Sequence, residues 1–202
     1  MKKVSDIHAI KIIFFITACY VGLWAIRIPT IKDQLQTDYV GVGYIMLSFA
    51  IGSIVAMIFA NALILKTSTK SILTFTLIAE GCLWLPVPFI QELWLFMVFS
   101  FVFGMSYGAF EIACNVYASN LEVREKKSMM SGFHAFWSLG VLFGSLITSF
   151  LLEWNYSFIF NILLYVIILL PLSLYFVLCL ESQVEIKTEH SSKKNLSLIH
   201  IS

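Results

Sequence analysis

The chain has 202 residues, 59% of them hydrophobic and only 12% charged, with a mean hydropathy of +0.89 and a formal net charge of +1. Soluble domains carry roughly half apolar and a quarter charged residues, so a soluble globule of this size is excluded. No basic run is present, which excludes nucleic acid as a partner and leaves the lipid bilayer as the expected surroundings.

A membrane-crossing helix needs about 20 mostly apolar residues. Six such stretches are read, at 8–27, 41–63, 71–89, 93–116, 130–152 and 158–180, and a polar segment follows from Glu181. The first begins after a basic MKK and reaches a lipobox-like ITAC at Cys19. Its apolar run continues through YVGLWAI, so it reads as a transmembrane helix and not as a cleaved signal. Thr17, Tyr20, Trp24 and Arg27 fall on one of its faces, as a candidate substrate-cavity wall; aromatic packing and an interfacial Arg27 anchor are the competing readings. In the second stretch Ser48, Gly52, Ala56 and Ala60 form a small-residue seam for helix packing.

The third stretch carries Glu80 and the fourth Glu111. A charged side chain at mid-bilayer costs about 2.5–3.5 kcal/mol on insertion scales, so both carboxylates are expected to turn inward. Glu80 reads either as a second titrating site or as the partner of a polar side chain. In the fourth stretch Ser100, Gly104, Gly108, Glu111 and Asn115 lie within about 80° of one another on a helical wheel. Gly104 and Gly108 permit close packing, while Glu111 is a candidate proton-coupling group and Asn115 a candidate solute contact; a structural carboxylate is the alternative. GMSYG (104–108) also fits the G-x-S-x-G pattern, but that motif needs a strand–turn–helix context and Ser106 points off the Glu111 stripe. No enzymatic activity is expected.

The fifth stretch places His134 and Ser138 on one face, and Gly140 and Gly144 on the next as a GxxxG pair. Imidazole changes charge near neutral pH, so His134 is a second candidate for proton coupling, and Ser138 for the substrate cavity. The alternative is a histidine holding loop backbone. Cys19, Cys82, Cys114 and Cys179 all sit in apolar stretches without metal or disulfide spacing, so neither a metal nor an organic cofactor is expected.

With the N-terminus inside, Lys and Arg in the flanking segments divide ten inside against two outside, which predicts cytoplasmic termini. FAIGSIVAM (49–57) and VLFGSLITS (141–149) share a Gly-Ser 92 residues apart. Applied to the whole chain, that single offset superposes helix 1 on helix 4 and helix 3 on helix 6. The fold class expected is therefore all-α integral membrane, six helices as two inverted three-helix repeats, an architecture of transporters. The domain is read as 1–180 and the cytoplasmic linker or tail as 181–202. Its LSLIHIS ending (196–202) resembles translated sequencing-adapter read-through, so the chain is expected to be a fragment.

GLWAIRIPTIKDQL (22–35), EIACNVYASNLE (111–122) and above all MSGFHAFWSLGVLFGS (130–145) resemble the N-terminal six-helix half of a major facilitator superfamily transporter. The branch they resemble is a bacterial one near the fucose permease group. The resemblance implies twelve helices in two halves, with solute between them. Helices 1, 2, 4 and 5 would face the cavity or the other half, and helices 3 and 6 would be outer supports. It implies a proton-coupling role for Glu111 by position. Two departures stand out. Where the superfamily has G-x-x-x-D-R-x-G-R-[RK], this chain reads NALILKTSTK (61–70) and only Lys70 fits; helix 1 also lacks the acid of the fucose-type relatives. The expected function is secondary active transport of a small polar, sugar-like solute by alternating access. Symport driven by the proton gradient across a bacterial inner membrane is expected, with the C-terminal six-helix half as missing partner. A receptor or assembly protein on the same half-fold is the alternative.

Overall fold

The computed structural model describes residues 5–181, apart from the side chains of residues 60–63 and 65. Lys2, Lys3, the tail from residue 182 and the side chains of Ala60, Asn61 and Leu65 therefore lie outside the described residues. The chain forms α1 (Asp6–Gln34), α2 (Tyr39–Lys66), α3 (Thr69–Trp84), α4 (Leu93–Glu125), α5 (Met130–Glu153) and α6 (Phe158–Cys179). A 3-10 turn at Val87–Phe89 follows α3. Counting that turn with α3, all six spans are long and apolar enough to cross a membrane, and no strand is present among the described residues.

Local chemistry sets the ends. The Asp38 carboxylate accepts the Gly41 N–H at 2.9 Å before α2. The Ser68 and Ser157 hydroxyls each accept an N–H three residues on, both at 3.1 Å, and so start α3 and α6. Pro86 and Pro88 stop α3 at Trp84, short of the expected residue 89. Two helices outrun their apolar cores. α1 continues through Pro29 to Gln34, whose Nε2 donates to the carbonyls of Val87 and Ile90 at 2.9 and 2.6 Å and ties the extra turns to the α3–α4 connection. α4 continues past residue 116 to Glu125, where Lys126 turns into the left-handed region (φ 51°). There the Glu122 carboxylate gathers the N–H groups of Met129 and Met130.

α2 packs along α4 and α1 along α5; α3 contacts α4 and α6, and α1 contacts α6. Exchanging helix 1 with 4, 2 with 5 and 3 with 6 leaves this pattern unchanged, as inverted three-helix repeats require. The two long contacts match atom for atom. A Cβ on Gly52 would meet the Phe101 carbonyl, and one on Gly144 the Cys19 carbonyl. A Cβ on Gly104 would meet the Phe49 carbonyl, and one on Gly22 the Val141 carbonyl. Ser53 Oγ donates to the Gly104 carbonyl at 3.0 Å, and Ser145 Oγ to that of Gly22 at 3.5 Å.

These pairings correct the single offset expected above. α2 and α5 do match at 92 residues (Gly52 with Gly144, Ser53 with Ser145), but α1 and α4 match at 82 (Gly22 with Gly104, Cys19 with Phe101). The ten residues of difference lie between Gly104 and Gly144, where α4 is extended.

Each end of the bundle is closed by a different chemistry. At the end that carries both described termini, Arg124 bridges Asp6 at 2.8 Å and Glu181 at 3.5 Å. Asp6 also accepts the Glu181 N–H at 3.2 Å. Lys70 donates to the carbonyls of Leu178 and Leu180 at 3.0 and 2.6 Å, capping α6. At the opposite end Arg27 Nε donates to Asn161 Oδ1 at 3.0 Å and its Nη2 to the Tyr156 carbonyl at 3.3 Å.

Candidate solute cavities

Two cavities lie along the cleft between α1 and α4, and Tyr107 of α4 lines both. The one nearer the termini has a volume of about 170 Å³. α4 supplies Glu111, Cys114 and Asn115 to it, α5 supplies His134 and Trp137, and α1 supplies Phe14. Successive turns of α4 bring Glu111 and Asn115 to one wall. His134, in the first turn of α5, is set by the edge of Phe14, with ring centroids 5.8 Å apart. Glu111 and Asn115 are half-buried and His134 is exposed. A carboxylate, an amide and an imidazole thus converge from two helices on a small space, a set able to hold a proton and hydrogen-bond a polar solute.

The other predicted residues are distributed differently. Tyr20 and Trp24 line the second cavity, of about 350 Å³, with Glu80, Trp84 and Ser100. Tyr20 is buried and its hydroxyl donates to the Tyr165 carbonyl at 3.4 Å. Thr17 is buried and donates to its own helix, at the Ile13 and Phe14 carbonyls, and lines neither cavity. Arg27 is 2% exposed, lies 5.3 Å from the Phe158 ring and is engaged by α6 and the turn before it, outside both cavities. Tyr20 and Trp24 thus meet α3, α6 and the Phe96 turn of α4, Arg27 meets α6, and none of the four lines the Glu111 cavity. Ser138 is exposed, with its hydroxyl on the His134 carbonyl at 3.1 Å. Gly104 and Gly108 lie against α2 at Phe49 and Ser53; Gly140 and Gly144 lie against α1 at Phe15 and Cys19. Gly52 lies against Phe101, and Ser48 is half-buried on α2.

Sequence reasoning turned Glu80 inward, as a second titrating site or the partner of a polar side chain, and did not single out Tyr107 or Trp84. The signal for Tyr107 was its place one turn before Glu111; GMSYG drew attention to Ser106 instead. Ser106 lines a third cavity, between α2, α3 and α4, apart from His134.

Comparison with known proteins agrees with this architecture. The chain is 28% identical over 143 residues to an uncharacterized MFS-type transporter of Yersinia pestis, an alignment covering 70% of this chain and 37% of that protein. It is 25% identical over 141 residues to an uncharacterized transporter of Sinorhizobium fredii, covering 65% of this chain and 35% of that protein. The chain thus spans little more than a third of the length of the curated relatives it matches. No solved structure matches it. The family model described as Major Facilitator Superfamily matches residues 12–200, nearly the whole chain, and the chain belongs to that superfamily.

Proposed function

We propose that this chain is the N-terminal half of a proton-coupled secondary transporter for a small polar, sugar-like solute. The observation that carries the reading is the convergence of Glu111, Asn115 and His134 on one cavity between α1, α4 and α5. In this reading Glu111 takes up and releases the coupling proton, with His134 as its neighbour in the exchange. Asn115 hydrogen-bonds the solute, and the proton gradient of a bacterial inner membrane supplies the energy. The ten-to-two distribution of Lys and Arg supports cytoplasmic termini. Alternating access needs a second wall, supplied by a C-terminal six-helix half or by a second copy.

The test is solute uptake in vesicles holding the complete protein, with an imposed proton gradient. Glu111→Gln should abolish gradient-driven accumulation while leaving gradient-independent exchange measurable. Accumulation with an unchanged pH dependence in that variant overturns the coupling role. No uptake of any polar solute by the intact protein favours the receptor or assembly reading.

A further inference from the structure

The 350 Å³ cavity between α1, α2, α3 and α4 has no part in that reading, yet it is the more completely built of the two. Five rings in its wall form a closed circuit of contacts. Trp24 meets Phe96 at 6.3 Å, Phe96 meets Phe99 at 6.1 Å and Phe99 meets Phe103 at 6.1 Å. Phe103 meets Trp84 at 5.5 Å, and Trp84 returns to Trp24 at 6.2 Å. Tyr20 stacks on Trp84 at 6.0 Å.

Glu80 stands in this aromatic wall at 5% exposure, and its Oε2 has no hydrogen-bond partner among the described residues. Trp84, one turn further along α3 and 2% exposed, has an unpartnered Nε1. Among the described residues, no Lys, Arg or His lines the cavity. The wall therefore offers one unfilled carboxyl oxygen, which a bound cation would hold as carboxylate, one unfilled donor, and ring faces whose quadrupoles favour a positive charge. A buried carboxylate without a partner is costly. An anion would meet the negative faces of the rings, and a purely apolar ligand would leave both groups orphaned.

We propose that this cavity binds an organic monocation: a protonated primary or secondary amine on an apolar or aromatic body, its N–H on Glu80 Oε2. An oxygen acceptor on the same molecule would engage Trp84 Nε1. The volume lies at the small end of the range for small-molecule sites, about 300–1,000 Å³. The proposal goes beyond transport through Glu111 and does not depend on it, because it concerns binding alone.

The experiment titrates the full chain in lipid nanodiscs at neutral pH with phenethylammonium chloride, by calorimetry, with empty nanodiscs subtracted. The neutral 2-phenylethanol and the anionic phenylacetate are titrated in parallel. Saturable amine binding is expected, weakened at least about tenfold in Glu80→Gln, as loss of a hydrogen bond to a charged group implies. Glu111→Gln should bind the amine as the parent does. Alcohol binding equal to amine binding, undiminished amine binding in Glu80→Gln, or no saturable amine binding each overturns the proposal. If Glu80→Gln does not fold, the amine–alcohol comparison on the parent chain decides alone. Gradient-driven accumulation with an unchanged pH dependence in Glu111→Gln, with amine binding intact, refutes only the Glu111 reading.

Discussion

Glu80 and Glu111 show what a residue in a membrane span discloses by itself. The cost of a charge in hydrocarbon turns both carboxylates inward, whatever the fold. Which cavity each reaches depends on neighbours distant in sequence, and the α1 stripe illustrates this. Thr17, Tyr20, Trp24 and Arg27 share a face, yet Tyr165 and Asn161 of α6 take the Tyr20 hydroxyl and Arg27, Trp24 meets Trp84 and Phe96, and Thr17 bonds its own helix. Nothing in helix 1 alone specifies which neighbour it meets. Glycine contacts are sharper at this scale, because they are backbone to backbone. Gly144→Leu would drive a side chain into the Cys19 carbonyl and should cost about 1–3 kcal/mol, read by unfolding in mixed micelles. Ser53→Ala removes only the bond to the Gly104 carbonyl and should cost about 0.6 kcal/mol, the average for such bonds in membranes. Equal losses in the two variants would contradict the close-packing account.

At the scale of the element, apolar length made all six helices legible, and the ends were not. α1 and α4 exceed their hydrophobic runs because polar groups outside the run hold the extra turns: Gln34 on the Val87 and Ile90 carbonyls, Glu122 on the Met129 and Met130 N–H groups. Such partners lie across a turn or on another helix, where hydropathy does not look. Lys70 is a similar case. It is the one residue of 61–70 that fits the superfamily pattern, and it caps α6 at Leu178 and Leu180. Lys70→Met should speed amide exchange in the last turn of α6 by about two- to fivefold, the range expected for a cation at a helix C-terminus. Unaltered exchange at residues 176–180 would remove Lys70 from that role.

The whole molecule is held at its terminal end by charge. Asp6 is 6% exposed and pairs with Arg124, itself bound to Glu181. Arg124→Ala leaves a buried carboxylate without its ion-pair partner and should lower the melting temperature more than Lys32→Ala, which breaks the surface pair with Asp33 and the contact over the Tyr39 ring. The Lys and Arg distribution supports the proposal that this end faces the cytoplasm. In a variant with the four native cysteines replaced, Thr37→Cys should react with an impermeant maleimide on intact cells and Ser128→Cys should not; the reverse pattern would invert the topology. The inverted repeat was visible in sequence at Gly52–Ser53 and Gly144–Ser145. The second register was hidden, because Gly22 and Gly104 share no flanking pattern and are recognised only by the carbonyls they rest on.

The ten-residue difference between the two registers has an energetic corollary. Gly22 and Gly52 stand thirty residues apart and Gly104 and Gly144 forty; both connections are four residues long, and the excess lies almost wholly in the charged last turns of α4. Helices related by symmetry are thus anchored by ends that are not. Any rocking motion that opens one end while closing the other exchanges chemically different contacts at each limit. For the proposed carrier, that asymmetry predicts unequal free energies for the two limiting states and a preferred resting side.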